Sequence, residues 1–361
     1  MATAVKRSLV LHFDINKTII ICDPVKGVQC DAMVNALLSE ACWGTWAETK
    51  DIPSDVDKKL ELAATWQFSA GPTPEEQPGL ITYADLLECV LGIEKKVMQE
   101  LKNRFAQPGE PGAAANPAYL DLQAKLRLPE GVSLPAAPAS VGEGRYFIVP
   151  SFFNLLLHLE REGRDFRLLL RTFGIDTADV VKELNCFLEG THPCFPDVPE
   201  SLRRYSLQLP QDTGKWLRDS AGIHLTLKGS PQVDGAVECA AALNGRLFGP
   251  SPRWSMALQD YYPYWRECKE ADDSGKLVFI DPPSAGAPHS IFFDDNIERD
   301  RAHIVDARDS VSGAPVAFSD TKNIYLVKSE PILAISDPDY FIKAVATAEA
   351  SAASAAAAPA A

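Results

Sequence analysis

The chain has 361 residues, a formal net charge of −14 and 46% hydrophobic residues. This length suits one large domain with an insertion, or two domains, and the apolar fraction is enough for a large buried core. The negative charge argues against nucleic acid or an anionic membrane surface as the partner, although a bound cation would still permit an anionic substrate.

Two further features bear on location. The apolar N-terminal stretch contains Asp14, Asn16 and Lys17, which a secretory signal would not, and no run is long enough to span a bilayer. The eight cysteines are scattered without a C-x-x-C pair, which is typical of thiols in a reducing compartment. We therefore expect a cytoplasmic protein that does not bind membranes.

The first predicted strand covers residues 9–13, an apolar run that Asp14 follows directly. Beyond it, helical spacing of apolar residues alternates with clusters of proline and glycine, which are typical of surface loops. We predict that residues 25–145 form an inserted, mainly helical subdomain.

A regular alternation of helix and strand returns at Pro150. A second apolar strand ends at Thr172, and the helix after it has Asp176 at its predicted N-cap. Such alternation predicts an α/β core with a mostly parallel sheet covered by helices on both faces, formed by residues 1–24 and 146–346. Residues 196–265 are less regular and could hold a second insertion. The Ala-rich residues 347–361 are predicted to be a disordered tail.

A third apolar strand, residues 290–293, ends in the adjacent acids Asp294 and Asp295. The carboxyl ends of parallel strands meet at one edge of a sheet, so we expect these acids to lie near Asp14 and Thr172. Adjacent carboxylates repel each other unless a cation or hydrogen-bond donors offset their charge. Because Mg²⁺ prefers carboxylate and phosphate oxygens, the pattern predicts a metal and phosphate site at this edge.

Three segments together resemble the motifs of a known superfamily. F-D-I-N-K-T at residues 13–18 resembles the first motif, D-x-D-x-T, of the haloacid dehalogenase-like (HAD) superfamily. L-L-L-R-T at 168–172 is similar to its second motif, and I-F-F-D-D at 291–295 to its fourth. The resemblance covers roughly residues 8–30 and 146–310. It implies a Rossmann-like HAD core in which the first insertion is a C1-type cap.

The resemblance also implies a role for each motif residue. Asp14 would be the nucleophile that becomes an aspartyl-phosphate, and Thr172 would hydrogen-bond a phosphate oxygen. Mg²⁺ would be held by Asp14, by the main-chain carbonyl of Asn16 and by Asp295, with Asp294 beside them or sharing the site.

The third motif of the superfamily is a lysine that neutralises the phosphate and the nucleophile, and little sequence surrounds it. Lys276, in S-G-K before an apolar run, is our choice. Lys269 is the next candidate, followed by Lys215 and Lys228.

Asn16 departs from the superfamily pattern, which usually has an aspartate there as general acid and base. An amide cannot transfer a proton at neutral pH, and general acid–base catalysis contributes on the order of 10²–10⁴-fold. The loss should affect alkyl phosphates more than anhydrides, acyl phosphates or aryl phosphates. Some branches, including the dehalogenases and the P-type ATPases, also lack this aspartate and remain active.

The expected function is a Mg²⁺-dependent phosphohydrolase that acts through an aspartyl-phosphate on a small phosphorylated metabolite, attenuated by Asn16. The alternative is a HAD-fold protein with little or no turnover that serves as a binding or assembly component. No feature of the sequence names the substrate or indicates a protein partner.

Overall fold

The protein forms two compact units in the computed structural model. The structure describes residues 7–23, 27–71, 74–134, 141, 144–282 and 286–357. The described residues of the first unit fall within Met1–Ile20, Leu128–Pro138 and Tyr146–Ala361, and those of the second within Ile21–Arg127 and Ala139–Arg145.

The strands of the described residues, in chain order, are β1 (Leu9–Asp14), β2 (Trp43–Thr45), β3 (Gln67–Phe68), β4 (Ile81–Thr82), β5 (Phe166–Thr172), β6 (Thr213–Asp219), β7 (Gly222–Leu227), β8 (Val233–Asp234), β9 (Ser255–Gln259), β10 (Lys276–Ile280), β11 (His289–Asp294), β12 (Val305–Asp309) and β13 (Leu326–Lys328).

The helices of the described residues are α1 (Cys30–Ala41), α2 (Val56–Ala63), α3 (Tyr83–Asp85), α4 (Lys95–Lys102), α5 (Asn116–Lys125), α6 (Pro150–Arg161), α7 (Thr177–Leu188), α8 (Ala236–Phe248), α9 (Tyr262–Glu267), α10 (Phe318–Thr321), α11 (Pro331–Ser336) and α12 (Tyr340–Ala357). Shorter helical turns of the π and 3₁₀ types are Leu86–Val90, Ala113–Ala115, Glu200–Tyr205 and Asp272–Ser274.

The first unit is built on an eight-stranded sheet with the order β13-β11-β1-β5-β9-β6-β7-β8. Neighbouring strands from β13 to β6 run parallel, whereas β7 and β8 add antiparallel pairs at one edge. Helices flank this sheet. The prediction of an α/β fold with a mostly parallel central sheet flanked by helices is therefore confirmed.

The central strands are apolar because both faces of the sheet are covered. Every residue of β1, β5 and β11 is buried. On one face, the Phe13 ring lies 5.0 Å from Phe152 of α6 and 5.2 Å from Phe341 of α12. On the other face, Leu243 of α8 and Leu277 of β10 belong to a second buried cluster. Strands buried on both faces read as continuous apolar runs, which is why these three were predictable.

The register of the central strands brings their carboxyl ends level with one another. Phe13 pairs with Phe293 of β11 on one side, and Asp14 pairs with Arg171 of β5 on the other. The residues that end β1, β5 and β11 therefore lie side by side at one edge of the sheet.

Residues 196–265, where we considered a second insertion, contribute strands to the central sheet itself. β9 pairs with β5 in the parallel direction, and β6 pairs with β9. β10 and β12 form a separate two-stranded parallel sheet, which begins with Lys276 opposite Val305.

The second unit combines helices α1 to α5 with a small antiparallel sheet of order β3-β2-β4. Its buried aromatic centre contains Trp66, Tyr83 and Phe105, whose ring centroids lie 5.2 to 5.7 Å apart. Aromatic rings at such separations, offset or edge to face, contribute to stability beyond the area they bury.

The prediction of a disordered tail from residue 347 is wrong as far as Ala357, because α12 continues to that residue. Alanine has the highest helix propensity, and the apolar side of α12 is buried at Phe341, Val345 and Ala348. Glu349 also accepts hydrogen bonds from Arg164 at 2.8 and 3.0 Å. Residues 358–361 lie outside the described residues.

Within the described part of the chain, none of the helices has the length and apolar character that crossing a membrane requires.

Candidate metal and phosphate site

Three carboxylates meet at the carboxyl edge of the central sheet. Asp14 ends β1, Asp294 ends β11, and Asp295 follows. One ligand oxygen from each lies within 4.8 Å of those of the other two. Asp14 and Asp294 are buried, and Asp295 is half-buried. Among the described residues, no other group of three or more His, Cys, Asp or Glu side chains is placed to hold a metal ion.

Lys276 lies at the centre of this acid cluster. It is the first residue of β10 and only 2% exposed. Its Nζ donates hydrogen bonds to Asp14 Oδ1 and, at 2.7 Å, to Asp294 Oδ2. The ring of Phe173 lies 5.0 Å from the same Nζ and shields it from water. The structure thus brings Lys276 into contact with two of the carboxylates that the sequence placed at strand ends.

The other lysines that we considered for this role lie elsewhere. Lys269, Lys215 and Lys228 have exposed side chains, and no contact among the described residues joins any of them to the acid cluster. Lys269 follows α9, Lys215 lies on β6 and Lys228 comes directly after β7.

Burial sets the electrostatics of the cluster. It raises the pKa of Asp14 well above the ordinary range; Lys276 opposes this shift, while Asp294 and Asp295 add to it. Burial alone would lower the pKa of Lys276, but the carboxylates of Asp14, Asp294 and Asp260 outweigh burial and hold that pKa above its usual value. The Lys276 ammonium group does not fully offset the effects of burial and of the neighbouring carboxylates on the pKa of Asp14, so a further cation at the cluster would favour the ionised form of Asp14.

The donors around the cluster are those that Mg²⁺ prefers. The cluster consists of carboxylate oxygens only. In the segment that follows Asp14, Asn16 Oδ1 and Thr18 Oγ1 are buried without a hydrogen-bond partner among the described residues. Buried oxygens without a partner are costly unless an ordered water or a ligand satisfies them. An all-oxygen set of this kind fits a hydrated Mg²⁺ ion better than a transition metal.

Asn16 makes a contact that the sequence analysis missed. Its Nδ2 donates a hydrogen bond at 2.9 Å to Oδ2 of Asp176, which is buried. Asp176 does occupy the N-cap position of α7, as predicted, but its side chain makes no capping hydrogen bond. No local spacing signals this contact, because it follows from the pairing of β1 with β5.

Thr172 ends β5 and is 2% exposed. Its Oγ1 accepts a hydrogen bond from the Gly174 N–H at 2.8 Å. Among the residues that the structure describes, none accepts a hydrogen bond from this hydroxyl, so its hydrogen can be donated to an anion. Thr172 comes one residue after Arg171, which pairs with Asp14, so it lies on the strand next to the acid cluster.

A buried ionic network supports the site from within the sheet. Arg171 is fully buried and donates to both carboxylate oxygens of Asp260, at 2.5 and 3.1 Å. It also donates to His12 Nδ1 at 3.0 Å and to the Leu277 carbonyl at 2.8 Å. Burial, followed by the charge of Arg171, lowers the pKa of His12, which keeps the imidazole neutral as an acceptor.

This network ties β5 to β1 and to the residue after Lys276, so it holds the amino end of β10 in place. The sequence carried one signal for it, namely an arginine inside an apolar strand. Such a charge is buried only when a partner compensates it.

A comparison of this chain with known protein families, with characterised proteins and with solved structures finds no match. The function is therefore inferred from the chemistry of the site itself.

Proposed function

We propose that the protein is a Mg²⁺-dependent phosphohydrolase with a HAD-like core, and that Asp14 forms an aspartyl-phosphate with a small phosphorylated metabolite. The main support is the buried contact of Lys276 with both Asp14 and Asp294 at the ends of two adjacent strands. A lysine that joins a strand-end carboxylate to an acid pair matches the site that the sequence motifs imply.

The proposed reaction has two displacements at phosphorus. A carboxylate oxygen of Asp14 forms a bond to the phosphorus while the bond to the leaving-group oxygen breaks. Water then attacks the phosphorus, the bond to Asp14 breaks, and inorganic phosphate leaves with Asp14 restored as a carboxylate. One proton of the water stays on the phosphate and the other passes to solvent. The ammonium group of Lys276, held against Asp14, offsets the negative charge of the phosphoryl group in both steps.

The proposal includes a divalent cation beside these groups. The carboxylates of Asp14 and Asp295 would hold it, with Asp294 and the main-chain carbonyl of Asn16 completing the protein's share of its ligands. When bound, Mg²⁺ supplies positive charge that polarises the phosphate oxygens.

Asn16 determines which leaving groups the proposed site handles well. Its amide is hydrogen-bonded to Asp176 and cannot protonate a departing alkoxide. Phosphates with good leaving groups, such as acyl and aryl phosphates and anhydrides, need little help of this kind. We therefore propose that they are better substrates than alkyl phosphates.

We assign the second unit as the cap of the proposed enzyme because of its position in the chain. Its residues lie within Ile21–Arg127 and Ala139–Arg145, between the strand that ends at Asp14 and the strand that ends at Thr172. A C1-type cap occupies that place in the superfamily the sequence resembles, where it selects the substrate. All eight cysteines are free thiols, which is consistent with the proposed cytoplasmic location.

A phosphatase assay tests the proposal. In Mg²⁺, the natural chain should hydrolyse aryl and acyl phosphates, and Asp14→Asn should lower that activity on the order of 10³-fold or more, because the nucleophile is lost. Asp197→Asn, the same chemical change at an exposed aspartate, should keep the activity. If the natural chain shows no activity above Asp14→Asn on any phosphate of the panel, the proposal is wrong.

One observation favours the alternative of a binding protein with little turnover, namely that the amide of Asn16 is held against Asp176. Intact-mass measurement after exposure to acetyl phosphate separates the two. A phosphate adduct that is absent from Asp14→Asn would indicate an enzyme with slow second-step hydrolysis. The absence of both adduct and turnover would favour the binding role.

A further inference from the structure

A groove on the β9, β6 and β7 side of the central sheet takes no part in the proposed chemistry. Its volume is about 460 Å³, which suits a small ligand. It lies along strands β9, β6 and β7 and the segment that leads from β5 into α7. We call it the lysine groove and define it by Gly174, Ile175, Leu209, Lys215, Lys228 and Gln259.

One end of the lysine groove is lined by Gly174 and Ile175, which follow Thr172 at the end of β5. Gln259 of β9 pairs with Thr172 in the sheet, and its Nε2 donates to the Gly174 carbonyl at 3.3 Å. The Gly174 N–H donates in turn to Thr172 Oγ1 at 2.8 Å. A ligand whose phosphate contacts Thr172 can therefore extend directly into the groove.

The strand register explains why polar residues line this face of the sheet. Lys215 pairs with Gln259 on one side and with Thr226 on the other. Side chains alternate between the two faces of a sheet, so the neighbouring Trp216 points the other way, into a buried apolar cluster. The Lys228 N–H donates to the Thr213 carbonyl at 3.0 Å, which extends the ladder and places Lys228 on the same face as Lys215.

The lysine groove is a positive region in an acidic protein. Both lysine side chains are exposed, and neither ammonium group makes a hydrogen bond or ion pair with a described residue. No acidic residue is among the described residues that line the groove, although the chain carries a net charge of −14. Two large apolar side chains lie beside the lysines, Ile175 with 76% of its surface exposed and Leu209 with 37%.

We propose that the lysine groove binds a second anionic group of the substrate, with an apolar spacer lying against Ile175 and Leu209. This inference rests on the proposed function, because it takes the reacting phosphate to be at Asp14. Three inter-strand spacings, about 14 Å in total, separate the backbone of Asp14 on β1 from that of Lys215 on β6. The substrate class is therefore an extended phosphorylated metabolite with an anionic group, carboxylate or phosphate, at its far end.

Calorimetric binding of phosphonates to the full chain in Mg²⁺ tests this proposal, because a phosphonate resists hydrolysis. The ligands are ω-carboxyalkylphosphonates of increasing chain length, and alkylphosphonates of the same lengths are the matched ligands without the far anion. At the best length the carboxylate should increase affinity about fivefold to tenfold, as two solvent-exposed ion pairs can. A series of α,ω-diphosphonates shows whether the groove prefers phosphate to carboxylate.

Matched variants test whether the affinity added by the far carboxylate comes from the lysine groove. Lys215→Gln together with Lys228→Gln should reduce the gain to less than about twofold, whereas Lys269→Gln, at an exposed lysine outside the groove, should keep it. The gain should also decrease at high ionic strength, because exposed charges are screened.

The proposal is overturned if the carboxylate adds no affinity at any chain length, if the gain survives in the double variant, or if neither ligand series binds. Failure of the proposed function would be seen in a different measurement, the phosphatase assay, as an activity of the natural chain no greater than that of Asp14→Asn. A carboxylate-dependent gain that the double variant loses would support the groove even in that case.

Discussion

At the scale of single residues, Asn16 is where this site departs from the motif it resembles. An aspartate at that position would face Asp176 across the 2.9 Å that the Asn16 amide now bridges with a hydrogen bond. Two carboxylates so close repel each other, and the pKa of at least one of them rises. The amide at position 16 and the acid at position 176 are therefore complementary as a pair.

We predict that exchanging the pair restores the missing proton transfer. Asn16→Asp combined with Asp176→Asn keeps one amide and one carboxylate in contact, and should raise turnover of alkyl phosphates on the order of 10²-fold. Aryl phosphates, which need less proton transfer, should gain less. Steady-state kinetics on a matched alkyl and aryl pair measures the effect.

The two single variants serve as controls for the exchange. Asn16→Asp alone should give a smaller gain and a lower Tm, because it buries two carboxylates together. Asp176→Asn alone should give no gain, because it adds no acid at position 16. A double variant no faster than the natural chain on alkyl phosphates would show that general acid catalysis is not what limits the site.

The assignment of Lys276 to the acid cluster could be made only in part from the sequence around it. The S-G-K segment before an apolar run marked it as a candidate, but Lys269, Lys215 and Lys228 remained open. The choice among these four lysines depends on the contact of Lys276 with Asp14, which lie 262 positions apart in the chain. Only the placement of β10 beside the end of β1 distinguishes a buried lysine that joins two acids from lysines that stay in water.

At the scale of elements, α12 shows how a low-complexity segment becomes ordered. Its first turns bury Phe341 against Phe13 of β1, with ring centroids 5.2 Å apart, and against Phe293 of β11 at 5.6 Å. Those two strands end in Asp14 and Asp294, so α12 supports the strands that carry the acid cluster. The alanines that follow extend a helix that is already anchored.

We predict that Phe341→Ala lowers the free energy of unfolding by about 3–5 kcal/mol, because the side chain is fully buried and leaves a cavity. Urea denaturation measures this loss. Lys343→Ala, on the same helix with an exposed side chain, should cost about 1 kcal/mol or less. Equal losses in the two variants would show that α12 is not anchored through Phe341.

The strands of the central sheet differ in how clearly the sequence indicates them. β1, β5 and β11 were evident as apolar runs because both of their faces are buried. β7 alternates between buried and half-buried residues, a pattern typical of a strand with one covered face. Its membership of the central sheet could not be predicted, because strand pairing depends on partners that are distant in sequence.

At the scale of the whole molecule, the chain has a net charge of −14, and three of its acids, Asp14, Asp294 and Asp295, lie together in one cluster. Ionising Asp14, Asp294 and Asp295 together leaves negative charge that Lys276 alone does not balance. A cation that binds only the folded state stabilises it by mass action.

We therefore predict that Mg²⁺ raises the Tm and that a chelator reverses the effect. At a concentration of about 100 times Kd, the stabilisation should reach about 2.7 kcal/mol. Scanning calorimetry with and without Mg²⁺ measures it. Asp295→Asn should lose most of the shift, whereas Asp197→Asn, at an exposed position, should keep it. A natural chain with no Mg²⁺-dependent shift would argue against the metal site.

The α/β class, the apolar strands and the acids at their ends could be predicted from the chain alone, because they follow from local patterns of burial and strand termination. The same is true of Asn16, the residue of the first motif that lacks a titrating group. The contact of Lys276 with Asp14, that of the Asn16 amide with Asp176, and the pairing of Arg171 with Asp260 became evident from the folded structure. Each of these contacts joins residues at least 89 positions apart, and such contacts depend on strand order and register rather than on neighbouring residues.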